Sequence, residues 1–198
     1  MESNFVTSYC HITPGRVSLN TKPWLETNGG AEDMQHFFSA VYEQLEIDYR
    51  KFFKMDALSK LGFLASELLL AGMDKEVPKE DMGLVIFNRS ASLEADRKYQ
   101  QTIQHKDHFF PSPADFVYTL PNIVLGEIAI RNKIYGETAF YLMPEFQMNS
   151  ISKVIAEMIN FAGMKQVLAG WVEVDAFSGT FECRMMLTRT KSALGSEN

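Results

Sequence analysis

Apolar runs bounded by turn signals predict five β-strands along the chain. The run at 83–88 is apolar throughout, which is typical of a strand covered on both faces. The first strand, at 5–12, is closed by Thr13-Pro14-Gly15, where proline fixes φ and glycine leaves it free. The remaining expected strands lie at 138–143, 166–174 and 181–188.

Apolar residues at helical spacing predict helices between these strands. Asp33 and Asp56 each precede such a segment and are expected to act as N-caps. Gly72 is expected to end the second of these helices. Three further helices are expected: a polar surface helix at 92–104, a helix buried on several faces at 123–134, and an amphipathic helix at 151–162.

The order of these elements predicts an α/β fold. Strands and helices alternate, and the last two strands are joined near Ser178-Gly179, which favours a mixed five-stranded sheet with helices on both faces. No repeat or linker interrupts residues 1–198, so one domain is expected. Asn28-Gly29-Gly30 belongs to a polar loop, and residues 191–198 are expected to form a loose tail.

Composition narrows the class of protein. A hydrophobic content of 46% is enough for a core, and a net charge of −6 argues against nucleic acid or an anionic membrane as the main partner. The sequence shows no signal-peptide pattern and no apolar run of about 18 residues that would span a membrane. Two cysteines without a metal-binding or redox spacing fit a reducing compartment. A cytoplasmic location is therefore expected.

Few residues suggest metal, cofactor or nucleophilic chemistry. His105, Asp107 and His108 have a spacing that would suit a metal, but such clusters are common in polar loops. Cys10 and Cys183 are interpreted as small core residues. The glycine-rich patterns that bind nucleotide phosphates are absent from the sequence. We therefore expect neither a metal nor a cofactor.

Four segments of the chain carry a resemblance to a known family. They are 112–116 (SPADF), 119–127 (TLPNIVLGE), 136–138 (GET) and 168–174 (LAGWVEV). Their order and spacing resemble the N-terminal half of the β-ketoacyl synthase family, across about residues 54 to 174. The resemblance implies a single half-fold of the thiolase-like type, related to 3-oxoacyl-acyl-carrier-protein synthases.

The resemblance also implies that the family's nucleophile is missing. In that family the reactive cysteine follows the glycine of a Gly-Pro-Ser turn by about nine residues and precedes an Ala-Gly-Gly strand by about twenty-five. Counting forward from Gly136 and back from Gly170 reaches Glu145 in both cases. Glu145 is interpreted as a capping or exposed acid, or as the acid of a decarboxylating partner of an active synthase. Pro144 counts against the second interpretation, because it fixes φ and removes a donor.

The same resemblance implies an interface. In the family, the segment that here runs from Thr119 to Glu127 and the strand after Gly136 lie along the dimer contact. Packing within one subunit is the alternative for the individual side chains. The interface or acyl-binding candidates are Asn122, Gly126, Phe140, Tyr141 and Leu142. A homodimer or a heterodimer with a ketosynthase is expected, with an acyl carrier protein as a further possible partner.

Three functions remain open from the sequence. The leading one is a ketosynthase-like accessory protein of fatty acid or polyketide biosynthesis without condensing activity of its own, which binds a synthase, a carrier protein or an acyl chain. The resemblance implies that the family's catalytic histidines belong to the second half of its fold. The alternative is therefore a subunit of an active synthase or of a malonyl-decarboxylating assembly, in which a second chain supplies these histidines. The third is a self-associating α/β protein with an unrelated ligand. Whether the chain is itself an enzyme is left open.

Overall fold

The computed structural model describes residues 5–27, 33–175 and 177–190, without the side chains of Phe5, Val6 and His108. The loop expected at Asn28-Gly29-Gly30 and the tail expected at 191–198 lie outside the described residues. The strands are β1 Phe5–Thr13, β2 Arg16–Leu19, β3 Lys22–Glu26, β4 Met82–Asn88, β5 Thr138–Leu142, β6 Gln166–Val174 and β7 Phe181–Thr190. The helices are α1 Met34–Gln44, α2 Ala57–Leu69, α3 Leu93–Ile103, α4 Pro113–Val117, α5 Ile123–Asn132 and α6 Met148–Asn160, with short 3-10 helices at Arg50–Lys54 and Lys106–His108.

The seven described strands form one mixed sheet in the order β3-β2-β1-β7-β6-β4-β5. β4 is parallel to both β5 and β6, and the other pairs are antiparallel. The five expected strands correspond to β1 and β4 to β7. The predicted α/β class is confirmed, but the predicted number of five strands is wrong because β2 and β3 extend the sheet beyond β1.

The two strands that the sequence did not predict, β2 and β3, are joined by an unusual turn. Asn20 and Thr21 connect β2 to β3 with φ values of 50° and 67°. Positive φ at both central residues is the geometry of a tight hairpin, which usually takes Asn-Gly. Thr21 does not signal that geometry. The side chain of Asn20 supports the turn by accepting a hydrogen bond from the Tyr9 backbone N–H at 2.9 Å.

Two apolar clusters cover the two faces of the sheet. The larger one contains α1, α2 and α5, and α2 is buried along almost its whole length. A Cβ at Gly62 would lie 2.7 Å from Val124 Cγ2, so the glycine allows α2 and α5 to pack closely. The smaller cluster lies under α6, against β4 and β6. The prediction of helices on both faces is thereby confirmed.

The helix ends agree with several predicted signals. Asp33 accepts a hydrogen bond from Gln35 N at 3.2 Å, and Asp56 accepts one from Ser59 N at 2.9 Å, so both predicted N-caps are confirmed. Gly72 has a φ of +85° just after α2. α5 ends at Asn132, two residues earlier than expected, because Lys133 adopts a left-handed conformation with φ 51°.

Candidate functional site

The connection from β5 to α6 holds Glu145. Leu142 ends β5 and Met148 begins α6, so the carboxylate stands in a strand-to-helix connection. The side chain of Glu145 is exposed. Since β4, β5 and β6 are parallel, their carboxyl ends meet at this edge of the sheet.

A shallow pocket of about 290 Å³ lies beside Glu145. Glu145, Glu173, Asp175 and Glu182 line it together with Arg89. Phe146 and Trp171 contribute its aromatic wall, with ring centroids 6.4 Å apart in an edge-to-face arrangement. Arg184 lies 2.6 Å from Glu182 and over the Phe146 ring, and Arg89 pairs with Asp175, so two arginines partly neutralise the four acids.

Glu173 is the buried acid of this group and ties β6 to the turn after β4. It accepts hydrogen bonds from Arg89 N at 2.7 Å, from Ser90 N at 3.4 Å and from the Ser90 hydroxyl. Arg89 also reaches Asp175, with 3.2 Å between Nη2 and Oδ2. A carboxylate that accepts several backbone and side-chain bonds is held in place. Glu173 therefore holds the turn after β4 against β6.

Cys10 and Cys183 do not contact the imidazole of His11, because the thiols and the imidazole lie on opposite faces of the sheet. Cys10 and Cys183 are buried on the face of the sheet that α2 covers. Burial raises the pKa of Cys10 to about 12 and the pKa of Cys183 well above its ordinary value. His11, the next residue along β1, points to the opposite face, where its Nε2 lies 3.1 Å from Glu182 Oε1. The interpretation of both cysteines as core residues is confirmed.

The remaining described histidine side chains are not among the residues that line the pocket beside Glu145. His36 and His105 are exposed, and the side chain of His108 lies outside the described ones. Across 5–27, 33–175 and 177–190, no group of three His, Cys, Asp or Glu side chains could hold a metal ion. None of the helices in that part of the chain has the length and apolar character needed to cross a bilayer.

The interface candidates on β5 lie at an edge of the sheet. β5 pairs only with β4, so its outer backbone groups face away from the other strands described. Phe140 packs partly against the larger cluster. Tyr141 is 43% exposed and stacks on Phe87, with the two ring centroids 5.2 Å apart. Leu142 is 61% exposed. The strand therefore presents an apolar edge.

The candidates on α5 share its outer face. Asn122 occupies the N-cap position, but its side chain makes no capping hydrogen bond. A Cβ at Gly126 would meet no atom within 4 Å. Ile130, four residues further, is 66% exposed and extends the same row, because residues four apart share a helix face. Sequence reasoning missed Ile130, although its spacing from Gly126 was a usable signal.

The fold is similar to solved structures of ketosynthases and chain length factors. The ishigamide ketosynthase/chain length factor gives a TM-score of 0.64 at 15% identity, covering 95% of this chain and 62% of that chain. A type II polyketide acyl-carrier protein in complex with its ketosynthase gives 0.63 at 13% identity, covering 98% and 64%. A ketosynthase in complex with its chain length factor from Xenorhabdus doucetiae gives 0.58 at 14% identity, covering 92% and 76%.

This chain spans 62% of the ishigamide structure's chain and 64% of the chain in the carrier-protein complex. The similarity therefore concerns the fold and covers only part of each of these two chains. No family model and no curated protein sequence matches the chain. The predicted thiolase-like resemblance is confirmed at the level of the fold. The chain has the ketosynthase-like fold of the thiolase-like class, with Glu145 in the connection between β5 and α6.

Proposed function

We infer that the chain is an accessory ketosynthase-like subunit that binds a ketosynthase through the β5 edge and does not condense acyl chains by itself. The observation that carries this proposal is the combination of an unprotected apolar edge at β5 with an acid at Glu145. Among the described residues, no thiol lies beside an imidazole in a shared cleft. Binding, rather than covalent catalysis, is what the geometry supports.

The two edges of the sheet differ in their protection. β3, at one edge, carries Lys22, Pro23 and Glu26 and has a register shift against β2. Charges, proline and bulges are the devices that prevent edge pairing. β5, at the other edge, has the sequence TAFYL, with no charge and no proline. Only β5 of the two is therefore suited to pairing with another strand.

The edge strand and α5 offer adjoining apolar surface. α5 contacts β5, so the helix that carries Gly126 and Ile130 lies beside the edge strand. Gly126 leaves room for a partner helix to approach. Exposed apolar side chains of this kind mark interaction surfaces when they adjoin one another.

Solved neighbours support a pairing role. The Xenorhabdus structure is a complex of a ketosynthase with its chain length factor, and 76% coverage makes the matched chain only modestly longer than this one. A chain of comparable size with this fold therefore occurs in a two-protein complex. By analogy, the partner proposed here is a ketosynthase, with a second copy of this chain as the other candidate.

The outer face of α6 argues against a second half-fold packed upon it. Ser152, Lys153 and Asn160 are exposed there, while Ile151 and Ile155 point to the sheet. A helix that is polar on one side faces water, whereas a helix between two layers is apolar all round. The alternative in which a second chain supplies the histidines therefore requires that chain to bind elsewhere than on the outer face of α6.

An acyl carrier protein is proposed as a further partner. Arg50, Lys51 and Lys54 are exposed around Phe53, which is 58% exposed. Lys51 lies 2.8 Å from Glu127, whereas Arg50 and Lys54 make no ion pair with any residue that the structure describes. This basic patch suits an acidic partner although the whole chain is acidic. One solved neighbour is a carrier protein bound to its ketosynthase.

Co-purification tests the proposal. The chain is co-expressed with an active ketosynthase, and the mass of the purified species is measured by light scattering. We expect a complex that Leu142→Lys disrupts and Ser152→Lys, on the outer face of α6, leaves intact. Absence of a complex at micromolar concentration, or equal loss in both variants, contradicts pairing through β5.

A further inference from the structure

A second cavity lies at the end of the sheet opposite Glu145. It has a volume of about 690 Å³ and is bounded by the residues that follow α2, by the loop before β4 and by the adjoining ends of β6 and β7. Gln166, which begins β6, and Arg189, near the end of β7, form part of its wall. The two residues are direct partners across the strands.

Two polar atoms in this wall lack partners. Arg189 Nε and Gln166 Oε1 are both buried, and neither makes a hydrogen bond to any residue in the described ranges. The guanidinium of Arg189 also forms no ion pair within those ranges, and arginine does not lose its charge in proteins. An unpaired buried donor costs free energy unless something in the cavity accepts from it.

The other charges of the cavity are already engaged. The Lys79 ammonium donates to the carbonyl oxygens of Asp74, Val77 and Asn132 at 2.7, 3.0 and 2.8 Å. Lys165 lies 3.0 Å from Asp81. Arg189 is therefore the cation of this lining that has neither an ion pair nor, at its buried Nε, a hydrogen-bond acceptor among the described residues.

We propose that Arg189 and Gln166 bind a carboxylate ligand in this cavity. The planar guanidinium matches the two oxygens of a carboxylate, and the Gln166 amide donates to the same oxygens when it is rotated by half a turn. Lys79, Lys165 and Arg189 face Asp74 and Asp81, which leaves one net positive charge in the lining. That balance favours a singly charged carboxylate over a doubly charged phosphate. The site is independent of the pairing function.

Nuclear magnetic resonance of the Arg189 side chain tests the site. Acetate, butyrate and phosphate are added separately to the full chain at constant ionic strength, and the Arg189 Nε–H signal is followed. We expect a saturable shift with the carboxylates and a weaker response to phosphate. A response no larger than that to chloride, or tighter binding of phosphate, overturns the assignment.

Two variants and a control sharpen the test. Arg189→Lys keeps the charge but loses the planar fork, and we expect carboxylate affinity to fall by about tenfold, as for one lost charge-assisted hydrogen bond. Gln166→Glu places a carboxylate beside Arg189, so it should abolish binding and raise the thermal midpoint. Arg16→Lys, at an exposed arginine paired with Glu26, should change neither property. Unchanged affinity in both cavity variants overturns the proposal.

Discussion

Gly170 and Met185 face each other across β6 and β7 so closely that a Cβ on Gly170 would lie 2.6 Å from the Met185 Cα. The same Cβ would also lie 2.4 Å from the Arg184 carbonyl oxygen. These are backbone atoms, which cannot move aside as the end of a flexible side chain can. The glycine within the 168–174 segment is thus required by packing between two strands.

Gly170→Ala should therefore destabilise the fold. We expect the free energy of unfolding to fall by about 1–3 kcal/mol, as for other overpacked cores. Urea unfolding followed by circular dichroism measures the change. Gly126→Ala is the matched control, since no atom lies within 4 Å of its Cβ and alanine favours helix, so that variant should gain about 0.5–1 kcal/mol. Equal stability of the two variants would contradict the packing argument.

Asp56 should make stability fall as pH rises through the weakly acidic range. Burial raises the pKa of Asp56 from its ordinary value of 3.8 to about 6. Between these values the folded chain binds more protons at this carboxyl than the unfolded chain does. Its stabilising contribution is therefore complete below about pH 4 and is lost as pH rises through about 6.

Asp56→Asn isolates this contribution, because asparagine is also a good N-cap but does not titrate. Urea unfolding of both proteins from pH 4 to pH 8 measures it. We expect the stability of the natural chain relative to the variant to decrease with rising pH. An increase over the same range would mean that the ionised carboxylate is the stabilising form.

Cys10 and Cys183 should resist thiol reagents in the folded protein. Both side chains are buried and their pKa values are raised, so the reactive thiolate is scarce and shielded. A chromogenic disulfide reagent at pH 8 should modify neither residue in buffer and both residues in urea. Rapid modification of the folded chain would show that this strand pair opens readily.

Gly126 should matter to association and not to folding. Gly126→Trp places a large side chain on the outer face of α5, where the chain itself has no atom within 4 Å of the Cβ position. We expect the thermal midpoint to change little and binding to a ketosynthase to weaken by at least tenfold. Calorimetric titration measures the affinity, with Ser152→Trp on α6 as control. Retained affinity would place the interface away from α5.

Glu145→Ala should leave malonyl decarboxylation unchanged. Glu145 is exposed, and no hydrogen bond or ion pair within the described residues holds its carboxylate in place for catalysis. The assay follows release of carbon dioxide from malonyl-carrier protein in a reconstituted mixture with a ketosynthase. Loss of turnover in the variant would instead support the alternative in which Glu145 assists decarboxylation.

The sequence predicted the elements that depend on local signals. Asp33 and Asp56 were found as caps because a carboxylate directly before an apolar helical pattern can accept from the first free N–H groups of the helix. The turn at Asn20-Thr21 was missed because threonine rarely takes positive φ. Helix starts were therefore easier to predict than the full number of strands.

The candidate sites also differ in whether they depend on local sequence or on contacts between distant parts of the chain. Glu145 was singled out by counting residues along the family's pattern, and in the structure it lies between β5 and α6. Arg189 and Gln166 were not singled out, because the cavity forms only when strands distant in sequence pair. The role of Glu173 likewise depends on Arg89 and Ser90, more than 80 residues earlier in the chain.

The two edge strands of the sheet differ in how well they resist pairing, and this difference limits assembly. If β5 is the one of the two described edge strands that accepts another strand, then each chain can pair through one edge of its sheet. A pair formed in this way has Lys22 and Pro23 of β3 at each outer margin contributed by this chain. Growth through the described strands then stops at two chains, so open-ended fibres do not form.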